Sequence, residues 1–213
     1  GSQEFTRVPI ASLCEEYERL ESAVSEEILQ YYRTINPDTG NEIPSLYYFW
    51  VKLVQTPSGE EVPLFSRYVF AQNAYPSKKP TAQIVCPKCW AVFQGKYDDV
   101  QSVCPDCGHE FNPQKGPATN ASVVDASGVK YKIKDLIPAE GLLKEKMYAV
   151  LAVDEDGNKK YLSIRDFDLE LYQKAQRELL ELNLFSPCYE VRPGYNTNQA
   201  RGYNYLYWKD FFN

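Results

Sequence analysis

Histidine and methionine occur once each in the 213 residues. His109 is therefore the only imidazole, and it gives neither Cys14 nor Cys188 a base that would make it a nucleophile. No stretch of 18 apolar residues is present, so no membrane-spanning helix is expected. No apolar core follows the N-terminus, so no secretory signal is expected and the cytoplasm is the expected compartment. A basic excess is missing as well. The net charge is −6, whereas a stand-alone nucleic-acid binder carries a basic surface that neutralises phosphates. There is no P-loop, no dinucleotide-binding glycine fingerprint and no GxSxG, so no cofactor cradle is visible. These absences argue against a self-sufficient enzyme.

What is abundant is aromatic. Aromatic residues make up 14% of the chain and 17 of them are tyrosines. Tyrosine buries a ring and keeps a polar tip, which suits an interface or a wet groove as well as a core. The strongest chemical signal is cysteine. Cys86 and Cys89 sit in "CPKC", and Cys104 and Cys107 in "CPDCG". Two CxxC pairs at this separation match a tetrahedral four-cysteine zinc site, because each turn brings two thiolates onto one ion. Gly108 permits the positive φ that such a turn favours. A disulfide framework does not suit a chain without a secretory signal, and iron in a similar four-thiolate site is the remaining alternative. With all four positions held by protein, the site is closed and structural, and it orders a lobe too small for a core of its own. Trp90, Phe93 and Phe111 are expected to pack on it, with His109 a bystander and Cys14 and Cys188 lone thiols.

Along the chain, apolar residues at Ile10, Leu13, Tyr17, Leu20, Val24, Ile28, Tyr31 and Ile35 predict one helix over 9–35. Ser12 and Glu15 form a capping box, and six glutamates from Glu15 to Glu27 make the other face acidic. "NPDTGNEIP" then turns the chain. Residues 45–54 and 62–72 read as strands joined by "TPSGEE". Hairpins are expected around Gly128 and around Asp156-Gly157. A second helix opens at Ser163 or Asp166 and runs to about Asn183, with Leu171, Tyr172, Ala175, Leu179 and Leu182 inward. This order predicts an α+β fold of antiparallel hairpins with two main helices and an inserted zinc ribbon. Residues 1–8 read as a cloning scar and flexible start, 9–81 and 113–213 as the α+β body, and 82–112 as the ribbon.

These features in succession resemble the central segment of the zinc-ribbon-containing DNA methylases taken to be adenine-specific. "YYRTINPDTGNEIPSLYYFWVK" is similar to that family's "LYP…DPDTG…YLWAR", and "VPLFSRYVFA" to its "VPLL…WL". The ribbon, the "YAVLAVD" hairpin and a helix follow, and "RGYNYLYWKDFFN" is similar to "RGYGF..W.DLF". Arg201, Gly202, Tyr203, Trp208, Asp210 and Phe212 fall on that last motif. In the family the S-adenosylmethionine loop precedes this segment and an Asp-Pro-Pro-Tyr motif follows it. No [DN]PP[YFW] is found here. The resemblance therefore implies an insertion between the halves of a methyltransferase, inactive alone, with S-adenosylmethionine bound only by a longer parent. Many relatives carry a further CxxCG where this chain has Thr56, so one zinc ion is expected.

Two functions follow. A DNA-recognition insertion would grip the duplex outside the catalytic sheet, with Lys78, Lys79, Lys88, Lys96, Arg192, Arg201 and Tyr203 as candidates for phosphate contact and stacking. Alternatively, the segment is an interaction or spacer module that binds the catalytic domain of the same protein or another subunit without touching DNA. Asn213 reads as the N-cap of a helix beyond the end, which predicts a partly exposed aromatic tail.

Overall fold

The computed structural model describes residues 9–181 and 188–211. The fold is α+β with antiparallel sheets, as the sequence predicts. Its central sheet is built on two long strands, β2 (Glu42–Gln55) and β12 (Lys144–Val153), paired from Leu53↔Lys144 to Ser45↔Ala152. Strands β1 (Arg33–Ile35) and β3 (Glu61–Pro63) pair with the two ends of β2, and β13 (Lys159–Ser163) pairs with β12. Met147 to Ala152 are all buried. A run with no polar alternation marks a strand covered on both faces.

The two coverings differ. On one face, Phe49, Val51 and Leu53 of β2 and Tyr148 and Ala149 of β12 pack against Phe65, Phe70, Val85 and Trp90. On the other face lie Trp50 and Lys52, as the two-residue period of a strand requires. Trp50 meets Tyr172 of the helix Asp166–Glu181 with ring centroids 4.8 Å apart. Lys52 lies 5.1 Å from the Tyr205 ring of the C-terminal tail and pairs with Glu145. A second core, around Val54, Val62, Val123, Ile133 and Leu143, seats the small sheet of β9 (Ala118–Thr119), β10 (Ser122–Val124) and β11 (Lys130–Lys132).

Both expected hairpins are present, and their turns share one device. Asp154 Oδ1 accepts the Asn158 N–H at 2.7 Å, and Asp125 Oδ1 accepts the Val129 N–H at 2.8 Å. Gly157 and Gly128 then take the positive φ the turn needs.

Three expectations change. The first helix, α1, runs from Ile10 to Ile28 with Pro9 before it and no side-chain cap, so Ser12 lies inside the helix rather than capping it. A short 3-10 turn, Leu29–Tyr31, ends it, and Ile35 belongs to β1. Residues 33–35 are drawn out because the turn at 36–41 folds them onto β2, where Thr34 pairs with Ile43. The expected strand 62–72 is split. β3 ends at Pro63, and β4 (Val69–Phe70) joins another sheet. Between them Phe65 C=O accepts the Ala118 N–H at 2.9 Å, and Ser66 C=O accepts the Gly116 N–H at 3.0 Å. At Ser163, the hydroxyl does not cap the following helix. It accepts the Val92 N–H at 2.8 Å, while Asp168 closes the helix start by accepting the Arg165 N–H at 2.9 Å. Of the expected inner face of that helix, Leu171, Tyr172 and Ala175 are half-buried and Leu179 is exposed. Residues 1–8, Leu182, Asn183, Phe212 and Asn213 lie outside the described residues.

Candidate metal centre and surrounding surfaces

The lobe rises from the sheet through a neck of paired chains, 65–70 entering and 113–118 leaving. Its larger sheet has the order β4, β5 (Thr81–Val85), β6 (Val92–Lys96), and β7 (Ser102–Val103) pairs with β8 (Glu110–Phe111) beside it. Each CxxC follows a strand end and closes in the same way. Cys86 N–H donates to Ala91 C=O and Trp90 N–H to Cys86 C=O; Cys104 N–H donates to His109 C=O and Gly108 N–H to Cys104 C=O, all at 2.9–3.0 Å. The residue four after the first cysteine must turn left-handed, with φ +67° at Gly108 and +65° at Trp90. Tryptophan there is strained by about 1–2 kcal/mol.

Packing offsets that strain. The Trp90 ring lies against Phe65, and the Lys146 ammonium stands 4.1 Å from its centroid. Trp90 is thus a tie from lobe to body, whereas the sequence reading put it on the metal site. Phe93 and Phe111 do pack around Cys86, Ala91 and Cys104. His109 stacks on Phe111 with planes 9° apart and is outside the cysteine group.

The four Sγ atoms lie within 4.8 Å of one another, with Cys86–Cys107 at 3.7 Å and Cys89–Cys104 at 3.5 Å. A tetrahedron of thiolates about 2.3 Å from a zinc ion has edges of about 3.8 Å. A disulfide would need about 2.05 Å. The donor set and its spacing fit a four-thiolate metal ion. The fold also favours thiolate at one corner: the His109 N–H holds the Cys107 thiol down to about 7, while burial pushes Cys86 up. Thr56, where a second knuckle would begin, is instead buried in the β2–β3 turn, its N–H on Glu60 C=O at 2.9 Å.

The basic candidates fall into two groups. Lys78 and Lys79 lie in the turn before β5, Lys88 inside the first knuckle and Lys96 at the end of β6. All four are exposed on the lobe, and none enters an ion pair among the described residues. Arg192, Arg201 and Tyr203 lie in the tail. Arg192 is exposed. Arg201 donates to Val191 C=O and pairs with Glu190 at 3.2 Å, and Tyr203 packs into the second core.

Charge is unevenly placed. The lobe over 69–112 holds four lysines against Asp98, Asp99, Asp106 and Glu110, and is neutral. The helix α1 holds six glutamates and Arg19, a net −5. Most of the chain's −6 therefore sits on that helix.

Sequence reasoning missed a groove of about 1040 Å3 between the helix Asp166–Glu181 and β2, lined by Tyr32, Leu46, Tyr47, Trp50 and Tyr172 among others. Asp168 is on its wall, 1% exposed. Burial raises its carboxyl, opposed by the neighbouring Thr34 hydroxyl, yet no hydrogen bond reaches Oδ1. The tyrosine excess was the available signal; the groove needs β2 and the second helix brought together, which no local pattern shows. No helix among the described residues is long and apolar enough to cross a membrane. Comparison with known protein families, curated proteins and solved structures finds no match.

Proposed function

We propose that this chain is the target-recognition insertion of a site-specific, S-adenosylmethionine-dependent DNA methyltransferase, with its lobe ordered by one structural zinc ion. The observation that carries the reading is the set of four exposed lysines, without an ion-pair partner among the described residues, on a neutral lobe. A lysine with no carboxylate partner keeps its full charge for a phosphate, and releasing counterions from DNA supplies the affinity. The body's acidity is no obstacle, since it lies mainly on α1. The resemblance of the tail motif supports the same reading. Trp208 and Phe211 stay about half exposed, 47% and 45%, while Asp210 holds the turn by accepting the Leu206 and Tyr207 N–H groups at 2.9 and 2.8 Å. Exposed aromatics, with the Trp208 and Phe211 rings 5.8 Å apart, suit a seat for the catalytic domain. S-adenosylmethionine belongs to the longer parent.

The test is duplex binding by the chain at low salt, with Lys78, Lys79, Lys88 and Lys96 changed together to glutamine. Loss of at least ten-fold affinity and a shallower salt dependence are expected, since each phosphate contact contributes to the salt slope. Unchanged binding would leave the alternative, a spacer or interaction module that never touches DNA, which the exposed α1 favours.

A further inference from the structure

No residue of α1 is buried, although the helix is 19 residues long. Its apolar stripe is exposed with the rest: Ile10 at 79%, Leu13 56%, Tyr17 64%, Leu20 59% and Val24 44%. Their steps of three, four, three and four are the a and d positions of a heptad, a narrower stripe than a helix on a globular core presents. Most of the stability of a helix in a protein comes from packing its apolar face. The seam runs from Ile10 to Val24, since Glu27 stands at the next d position; Tyr31 beyond it is half-buried and bonds Glu178 of the second helix. An exposed apolar stripe of this kind marks a surface that binds protein.

Charge decides the occupant. The positions flanking the seam, e and g, are Cys14, Glu16, Glu21, Ala23 and Ile28, with no lysine or arginine, and the helix as a whole carries six glutamates against Arg19, which is on the outer face and bonds Glu16. Two copies of α1 would bring like charges together along both sides of the seam, and such contacts are destabilising. We infer that α1 is one strand of a heteromeric coiled coil, and that its partner is an amphipathic helix of another protein with lysine or arginine flanking an apolar heptad seam. This inference stands on the helix alone and does not rest on the methyltransferase reading.

The probe is a synthetic helix of about three heptads with leucine at a and d and lysine at e and g, beside the same peptide with glutamate flanks. Calorimetry on the intact chain should show the lysine peptide binding at least ten-fold tighter than the glutamate peptide. Leu13→Asp with Leu20→Asp should lose that binding. Glu16→Lys with Glu21→Lys should reverse the preference, a result that unfolding could not produce. Equal or absent binding of both peptides, or no reversal, would overturn the inference. So would a concentration-dependent dimer of the chain seen by sedimentation and abolished by Leu20→Asp, since a second copy would then own the seam.

Discussion

The metal lobe and α1 have opposite relations between sequence signal and burial. The lobe has little hydrophobic periodicity, two short CxxC motifs and strands of two to five residues, yet Cys86, Cys104, Ile84 and Ala82 are at most 1% exposed. The helix has the clearest period in the chain and buries nothing. The difference teaches that periodicity reports a face that needs covering, without saying where the cover comes from. The lobe carries its own cover, because its four cysteines are set to hold one ion between its two knuckles. Fully burying five seam residues of α1 would contribute up to roughly 8–15 kcal/mol at about 1.5–3 kcal/mol each before ordering costs, and most of that is not gained among the described residues.

The largest effect expected is loss of the metal. Structural zinc contributes on the order of 10 kcal/mol or more to small domains at neutral pH. A strong chelator, or Cys104→Ser, should release one ion per chain and open the lobe to protease between residues 69 and 112, while the helical circular dichroism of the rest persists. A chain whose helices melt together with the lobe would erase the contrast between the two regions.

The neck should be the next most sensitive place. A Cβ on Gly116 would stand 2.1 Å from the Phe65 carbonyl oxygen, a backbone atom with nowhere to go. Gly116→Ala should cost about 3 kcal/mol or more in urea unfolding, at the upper end of single substitutions. Gly128→Ala meets no atom within 4 Å and should cost only about 1–2 kcal/mol for its left-handed φ. A comparable loss at both would mean that the neck is not a close approach.

Acid separates the body's loops from the lobe in a different way. Glu155 accepts hydrogen bonds from Asn36, Thr39 and Asn41, which lower its carboxyl from the usual 4.5 to about 2, the Thr39 hydroxyl most. Because the folded value is the lower one, this clamp stabilises fully above about 4.5 and is lost as pH falls through about 2. Amide exchange at 36–41 should rise over that window and be already raised at neutral pH in Glu155→Gln. Exchange independent of both would show that the clamp does not hold the turn.

The smallest effect is expected on α1. Leu20→Ala should destabilise the isolated chain by less than about 0.5 kcal/mol, as for other exposed positions away from packing. A loss above about 2 kcal/mol, the scale of a buried leucine, would show that the seam is already covered.

Much of this was legible in the sequence because it is local. Cysteine spacing, Gly108 and the turns at Gly128 and Gly157 each carry their reason within a few residues. The illegible parts are non-local. The break at Phe65 exists because Ala118, far along the chain, donates to its carbonyl. Ser163 fails to cap its helix because Val92 claims the hydroxyl. Trp90 fills a left-handed position that the second knuckle gives to Gly108, and the body, through Phe65 and Lys146, holds it there. The end of α1 was misplaced because Tyr31 and Ile35 fit both a helical and an alternating pattern until β2 decides between them.

The most direct measurement of the functional claim is a titration of duplex DNA against the zinc-loaded chain at low salt, repeated after chelation. Binding by the loaded chain should weaken steeply with salt and fall at least ten-fold once the lobe is opened, in step with the lysine variant. Equal affinity before and after chelation, or no binding by the loaded chain, would contradict the claim.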